Sequence, residues 1–125
     1  MFVRKSVIWA VLILAGLVCV FAADITGTWK AEFDSQVGKQ TYTFEFKVDG
    51  ETLTGTAKSN IDGAEANTPI TEGKISGNEI SFVENLKYQG MDLRIAYKGT
   101  VSGDEIQLER VEGAGGEKFV AKRVK

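Results

Sequence analysis

Tyr42, Phe44, Phe46 and Val48 alternate with Thr41, Thr43, Glu45 and Lys47. Such a pattern puts four apolar side chains on one face of an extended segment and polar ones on the other, as in a half-buried β-strand. The same period runs through Trp29-Ala31-Phe33, Leu53-Gly55-Ala57, Ile80-Phe82, Leu93-Ile95-Tyr97, Ile106-Leu108 and Phe119-Ala121. A weaker run from Ile70 to Ile75 fills the one gap, which brings the count to eight strands. No segment carries an apolar stripe at helical spacing, and Pro69 is the only proline. The fold class predicted is all-β. Eight antiparallel strands in up-and-down order can close on themselves, which removes exposed edges. The interior of such a barrel fills with side chains or holds one small ligand.

The connections predict a polarity for the barrel. Asp49-Gly50, Ser76-Gly77-Asn78 and Ser102-Gly103-Asp104 are tight-turn sequences, since Gly beside Asp, Asn or Ser suits the positive φ of short hairpins. Four connections read as longer: Asp34–Gln40, Ser59–Thr68, Asn85–Met91 and Glu112–Glu117. Short and long alternate. In a meander this places every tight turn at one end and every long loop at the other, so an open rim of loops is expected there.

The chain begins with Arg4 and Lys5, an apolar run from about Val7 to Phe21, and then Ala22-Ala23. A basic start, a short apolar stretch and small residues at its exit form a secretory signal peptide. The run is shorter than the ~20 residues of a spanning helix. Residues 1–22 are therefore expected to be removed, with the cut after Ala22 or Ala23, leaving one barrel domain over 23–125 that is secreted or periplasmic. Cys19 is preceded by Val18, where a lipidated cysteine is preceded by a small residue, and it reads as part of the apolar run.

Composition narrows the chemistry. There is no histidine, and Cys19 is the only cysteine. The segment after the signal therefore has no thiolate, disulfide or imidazole. Zinc, copper and iron sites nearly always use one of these groups, and histidine is the usual general base. From Asp24 onward 17 acidic and 13 basic residues give a net charge of −4, a surface unsuited to nucleic acid or anionic membrane. Carboxylates alone serve glycosidases, but pairs among so many surface acids carry no information. No nucleophile elbow, phosphate loop or redox motif occurs. The loop Ser59–Glu65 groups Asn60, Asp62 and Glu65 around Gly63 without the spacing of a calcium loop. The expectation is a protein that is not an enzyme and has no cofactor or metal.

Ile25-Thr26-Gly27-Thr28-Trp29, followed by Asp49-Gly50-Glu51-Thr52-Leu53-Thr54-Gly55-Thr56, resembles the calycins: lipocalins, fatty-acid-binding proteins and avidins. Within that group the two segments are most similar to the streptavidin type. The resemblance covers the first third of the chain after the signal in motifs and the rest in strand number. It implies a lipocalin/avidin-like barrel in which Gly27 and Trp29 open the first strand and a basic residue of the last strand covers the tryptophan. Arg123 is the candidate for that role and Lys122 the second. The resemblance does not extend to the biotin site. Ala31 and Ala57 stand where that site has an asparagine and a tyrosine, only Ser59 matches a biotin-contacting serine, and Trp29 is the sole tryptophan beyond the signal.

Glu84 and Arg110 fall on the inward parity of their strands, toward the long-loop end. Isolated charges near strand ends are ordinarily exposed, so a rim ion pair or solvated side chains is the first expectation, and an anchor for a ligand's head group the second. Tyr88 and Met91 are apolar residues of an otherwise polar connection, placed either to cover the barrel mouth or to pack outside. With Tyr42, Phe44, Phe82 and Tyr97 these form the candidate ligand-binding set. The function expected is an exported, non-catalytic binder of a small apolar or amphipathic molecule. The alternative is an accessory β module with a filled interior, acting through a partner protein or polysaccharide. The volume of the interior separates the two.

Overall fold

The structure, a computed structural model, describes residues 23–125. The expected signal peptide over 1–22 and Cys19 lie outside the described residues. Eight antiparallel strands form a closed barrel in sequence order: β1 Gly27–Ser35, β2 Gly38–Asp49, β3 Thr52–Ile61, β4 Ala64–Ser76, β5 Glu79–Tyr88, β6 Met91–Ser102, β7 Glu105–Glu112 and β8 Lys118–Arg123. Closure is made by β8 against β1, through Trp29↔Arg123 and Ala31↔Ala121. The alternation read in the sequence is the alternation of burial: Tyr42, Phe44 and Phe46 point inward and their neighbours outward.

The loop lengths differ from expectation. Three of the four connections read as long are two-residue turns, at Gln36-Val37, Asp62-Gly63 and Gln89-Gly90. Only Gly113–Glu117, between β7 and β8, is extended. The polar residues at the flanks of the other three continue their strands, because the outer face of a barrel strand is wet and needs no apolar residue. Positive φ at Asp62 (50°) and Gly63 (92°), and again at Gln89 (51°) and Gly90 (78°), gives both turns the handedness that matches the strand twist. The rim of four loops is thus replaced by long strands and one loop.

The opposite end is sealed by residues that precede β1. The Ala23 N–H donates to the Gly77 carbonyl at 2.8 Å, and Ile25 is fully buried. The Trp29 indole N–H donates to the Ile25 carbonyl at 2.9 Å. Arg123 lies over the Trp29 ring at 4.5 Å and donates through its Nη atoms to the carbonyls of Asp24 and Thr26. Gly27 has a φ of 138°, and a Cβ there would sit 3.6 Å from the Arg123 guanidinium. The arginine therefore ties strap, first strand and last strand together. Above it the interior is an aromatic stack. Phe44 meets Phe46 at 5.5 Å and Phe82 at 5.7 Å, Phe82 stacks on Tyr97 at 4.7 Å, and Phe119 stacks on Phe33 at 4.1 Å.

Candidate functional site

Inward parity carries four polar side chains to one level, above the aromatic stack. Tyr42 precedes Phe44 on β2, Glu84 follows Phe82 on β5, Tyr97 stands on β6 and Arg110 follows Leu108 on β7. Glu84 is fully buried and Arg110 is 3% exposed. They are joined through the two tyrosines. The Tyr42 hydroxyl donates to both Glu84 carboxylate oxygens at 3.0 Å, and the Tyr97 hydroxyl donates to Glu84 Oε1 at 2.7 Å. Arg110 donates from Nη2 to the Tyr42 oxygen at 2.7 Å and from Nε to the Tyr97 oxygen at 3.0 Å. Each hydroxyl accepts from the guanidinium and donates to the carboxylate. This direction of donation uses Glu84 as an acceptor at every contact, the role of an ionised carboxylate.

Burial pushes the Glu84 carboxyl upward, opposed by the Tyr97 hydroxyl, the Arg110 charge and the Tyr42 hydroxyl. Burial also raises both tyrosines, with Glu84 adding to the rise. Three rings surround the guanidinium, with the centroids of Phe33, Tyr42 and Tyr97 at 5.0, 5.2 and 5.4 Å. The expected rim pair of solvated charges is therefore corrected. Both groups are interior, and tyrosine hydroxyls stand between them. Strands longer than their apolar runs raise the walls above Glu84 and Arg110 and put both below the rim.

Between this layer and the rim is a pocket of about 150 Å³. Ile61, Leu86, Leu93 and Ile95 supply its apolar wall, with Tyr88 at the edge. The β1–β2 turn closes one side and the Gly113–Glu117 loop the other. Its polar lining is Arg110, Glu117 and Gln40, with Ser35 and Gln36 at the β1–β2 turn. Glu117 Oε1 accepts from Arg110 Nη1 at 3.4 Å. Gln40 is 3% exposed, and its Oε1 has no hydrogen-bond partner among the described residues. A buried acceptor left without a partner costs about 1–3 kcal/mol.

Of the candidate set, the structure brings Tyr42, Glu84, Tyr97 and Arg110 into one hydrogen-bonded layer. Phe44 and Phe82 lie deeper, in the filled stack, away from the pocket. Tyr88 and Arg110 line the pocket, while Met91, at the start of β6, is 56% exposed and is not part of its lining. Gln40, Ile61, Leu86 and Glu117 were not singled out by sequence reasoning, because all four fell within segments read as loops. Continuing the period-two pattern of β2 from Tyr42 to Gln40, and of β5 from Glu84 to Leu86, was the available signal. Asn60, considered for calcium, instead accepts the Gly63 N–H at 2.9 Å and holds its own turn. Comparison with protein-family models, curated proteins and solved structures returned no significant match.

Proposed function

We propose that this chain is an exported, non-catalytic β-barrel that binds one small amphipathic molecule at the Gly113–Glu117 end. The observation that carries the reading is the pocket, whose apolar wall ends on a buried arginine. Apolar lining with a few placed polar groups is the usual composition of a ligand site. The calycin resemblance of the first two motifs supports a carrier, and the basic and apolar start of the chain supports export. The volume sets the size. Sites for drug-sized ligands are about 300–1,000 Å³, whereas a cavity of about 150 Å³ takes a molecule of benzene's size. While the aromatic stack keeps its place the pocket has no room for a lipid-length chain, so the part of the ligand held inside it has roughly six to eight heavy atoms.

The stack also favours a second reading. Phe44, Phe46, Phe82 and Tyr97 occupy the middle of the barrel, as in a module whose interior is purely structural and whose outer surface meets a partner.

Backbone amide shifts of the barrel, residues 23–125, distinguish the two. Aliphatic alcohols and amides of the stated size are added in turn. Shifts confined to Leu86, Tyr88, Leu93 and the 113–117 loop support a binder. Absence of any saturable shift across the panel removes that reading and leaves the accessory module.

A further inference from the structure

Resting on that reading, we propose that the pocket selects an uncharged head group with a hydrogen-bond donor beside an acceptor, as in a short aliphatic amide. The charges near the pocket are already balanced. Arg110 has Glu117 against it on the pocket side and Glu84 behind the two tyrosines. An added anion meets two carboxylates for one guanidinium, and an added cation meets Arg110 in a low-dielectric site, where like charges repel strongly. A neutral head avoids both.

The hydrogen-bonding capacity left over in the pocket wall is of two kinds. Gln40 supplies an acceptor. The orientation of its amide follows from Ser35, whose hydroxyl donates to the Gly38 carbonyl at 3.0 Å. The lone pairs of that hydroxyl therefore receive the Val37 N–H at 3.3 Å and the Gln40 Nε2 at 2.7 Å. The amide nitrogen is committed to Ser35, and Oε1 is the end without a partner among the described residues. Arg110 supplies donors. Nε, Nη1 and Nη2 each give one hydrogen to Tyr97, Glu117 and Tyr42. A guanidinium has five N–H groups, so one on each Nη remains. An amide N–H directed to Gln40 and an amide carbonyl directed to Arg110 would use both, with the alkyl part against Ile61, Leu86 and Leu93.

Three molecules of nearly equal size and shape test this: 3-methylbutanamide, 3-methylbutanoate and 3-methylbutylamine. Each is titrated into residues 23–125 at pH 7 and followed by amide shifts. The amide is expected to bind at least about tenfold more tightly than either ion, the scale of one buried hydrogen bond to a group otherwise unpaired. Gln40→Leu and Gln40→Met, each checked for a dispersed spectrum, are expected to reduce that preference to threefold or less. Equal or tighter binding of the acid or the amine overturns the neutral-head inference while leaving the binding site standing. An amide preference unchanged in both folded variants also overturns it. Failure of all three to bind removes the inference and the binding reading together.

Discussion

The guanidinium of Arg123 lies 4.5 Å above the Trp29 ring and reaches past it to the backbone carbonyls of Asp24 and Thr26. First strand, last strand and N-terminal strap meet at this one side chain. Trp29 is fully buried, so Trp29→Ala is expected to cost about 3–5 kcal/mol in urea unfolding, as for other buried aromatics. Arg123→Lys keeps the charge but loses the planar fork. Its expected cost is about 1–2 kcal/mol, from the stacked contact and the carbonyl bonds. A loss below about 1 kcal/mol for Trp29→Ala contradicts its place at the base of the core.

Glu84 makes stability depend on pH in an unusual direction. Its folded-state carboxyl is raised by burial, so the folded protein holds this proton more tightly than the unfolded chain does. Stability attributable to Glu84 is then present below the ordinary glutamate value of about 4.3 and is lost as pH rises toward the folded value. Asp24, lowered by the Thr26 N–H, and Asp104, lowered by Lys125, act at lower pH with the opposite sign. Unfolding free energies measured from about pH 4.5 to pH 7 should decline in the native chain and flatten in Glu84→Gln. Parallel curves for the two proteins would show that Glu84 titrates normally.

Gly55 belongs to the Leu-Thr-Gly-Thr segment, and the structure supplies a reason for the glycine. Its φ is 148°, and a Cβ would stand 1.8 Å from the Glu45 carbonyl oxygen. The pairing of β3 with β4 shifts register between Thr52 and Thr56, around this residue. Gly55→Ala forces two backbones apart. The expected loss exceeds about 2 kcal/mol, beyond the usual effect of a single exposed substitution. Thermal unfolding of Gly55→Ala beside Gly50→Ala checks it. Gly50 has a φ of 62° but nothing within 4 Å of an added Cβ, so its variant carries the cost of backbone conformation alone and the excess loss in Gly55→Ala is the steric one.

The strap sets an expectation for processing. Ala23 donates its N–H to Gly77, and Ile25 is buried two residues later. Intact-mass measurement of the exported protein should find a start at Ala23 or Asp24. A species beginning beyond Ile25 lacks the seal under Trp29 and is expected to unfold at lower temperature. A retained 1–22 segment, or an added acyl mass at Cys19, contradicts cleavage after Ala22 or Ala23.

Period-two alternation in the sequence was enough to determine an all-β chain of eight strands, and parity identified the inward residues from Trp29 and Phe44 to Glu84 and Arg110. It did not do so on β4, where Ile70 and Ile75 are both buried on opposite parity around a register shift between Thr71 and Lys74. Parity is local: it follows from the pleat and needs no knowledge of neighbours. The strand ends were not legible in the same way. On a barrel's outer wall, polar residues such as Thr41, Asn60 and Lys87 are strand residues, and to a local reading they resemble loop. Tertiary pairing decided that β2 runs back to Gly38 and β5 on to Tyr88, and this converted three expected loops into turns. The same extension decided the environment of the charges. Whether Glu84 and Arg110 stand at a rim or beneath one depends on how far the paired strands rise around them. Their partners, Tyr42 and Tyr97, lie 42 and 13 residues from Glu84 along the chain. Only closure of the barrel brings those hydroxyls between a carboxylate and a guanidinium.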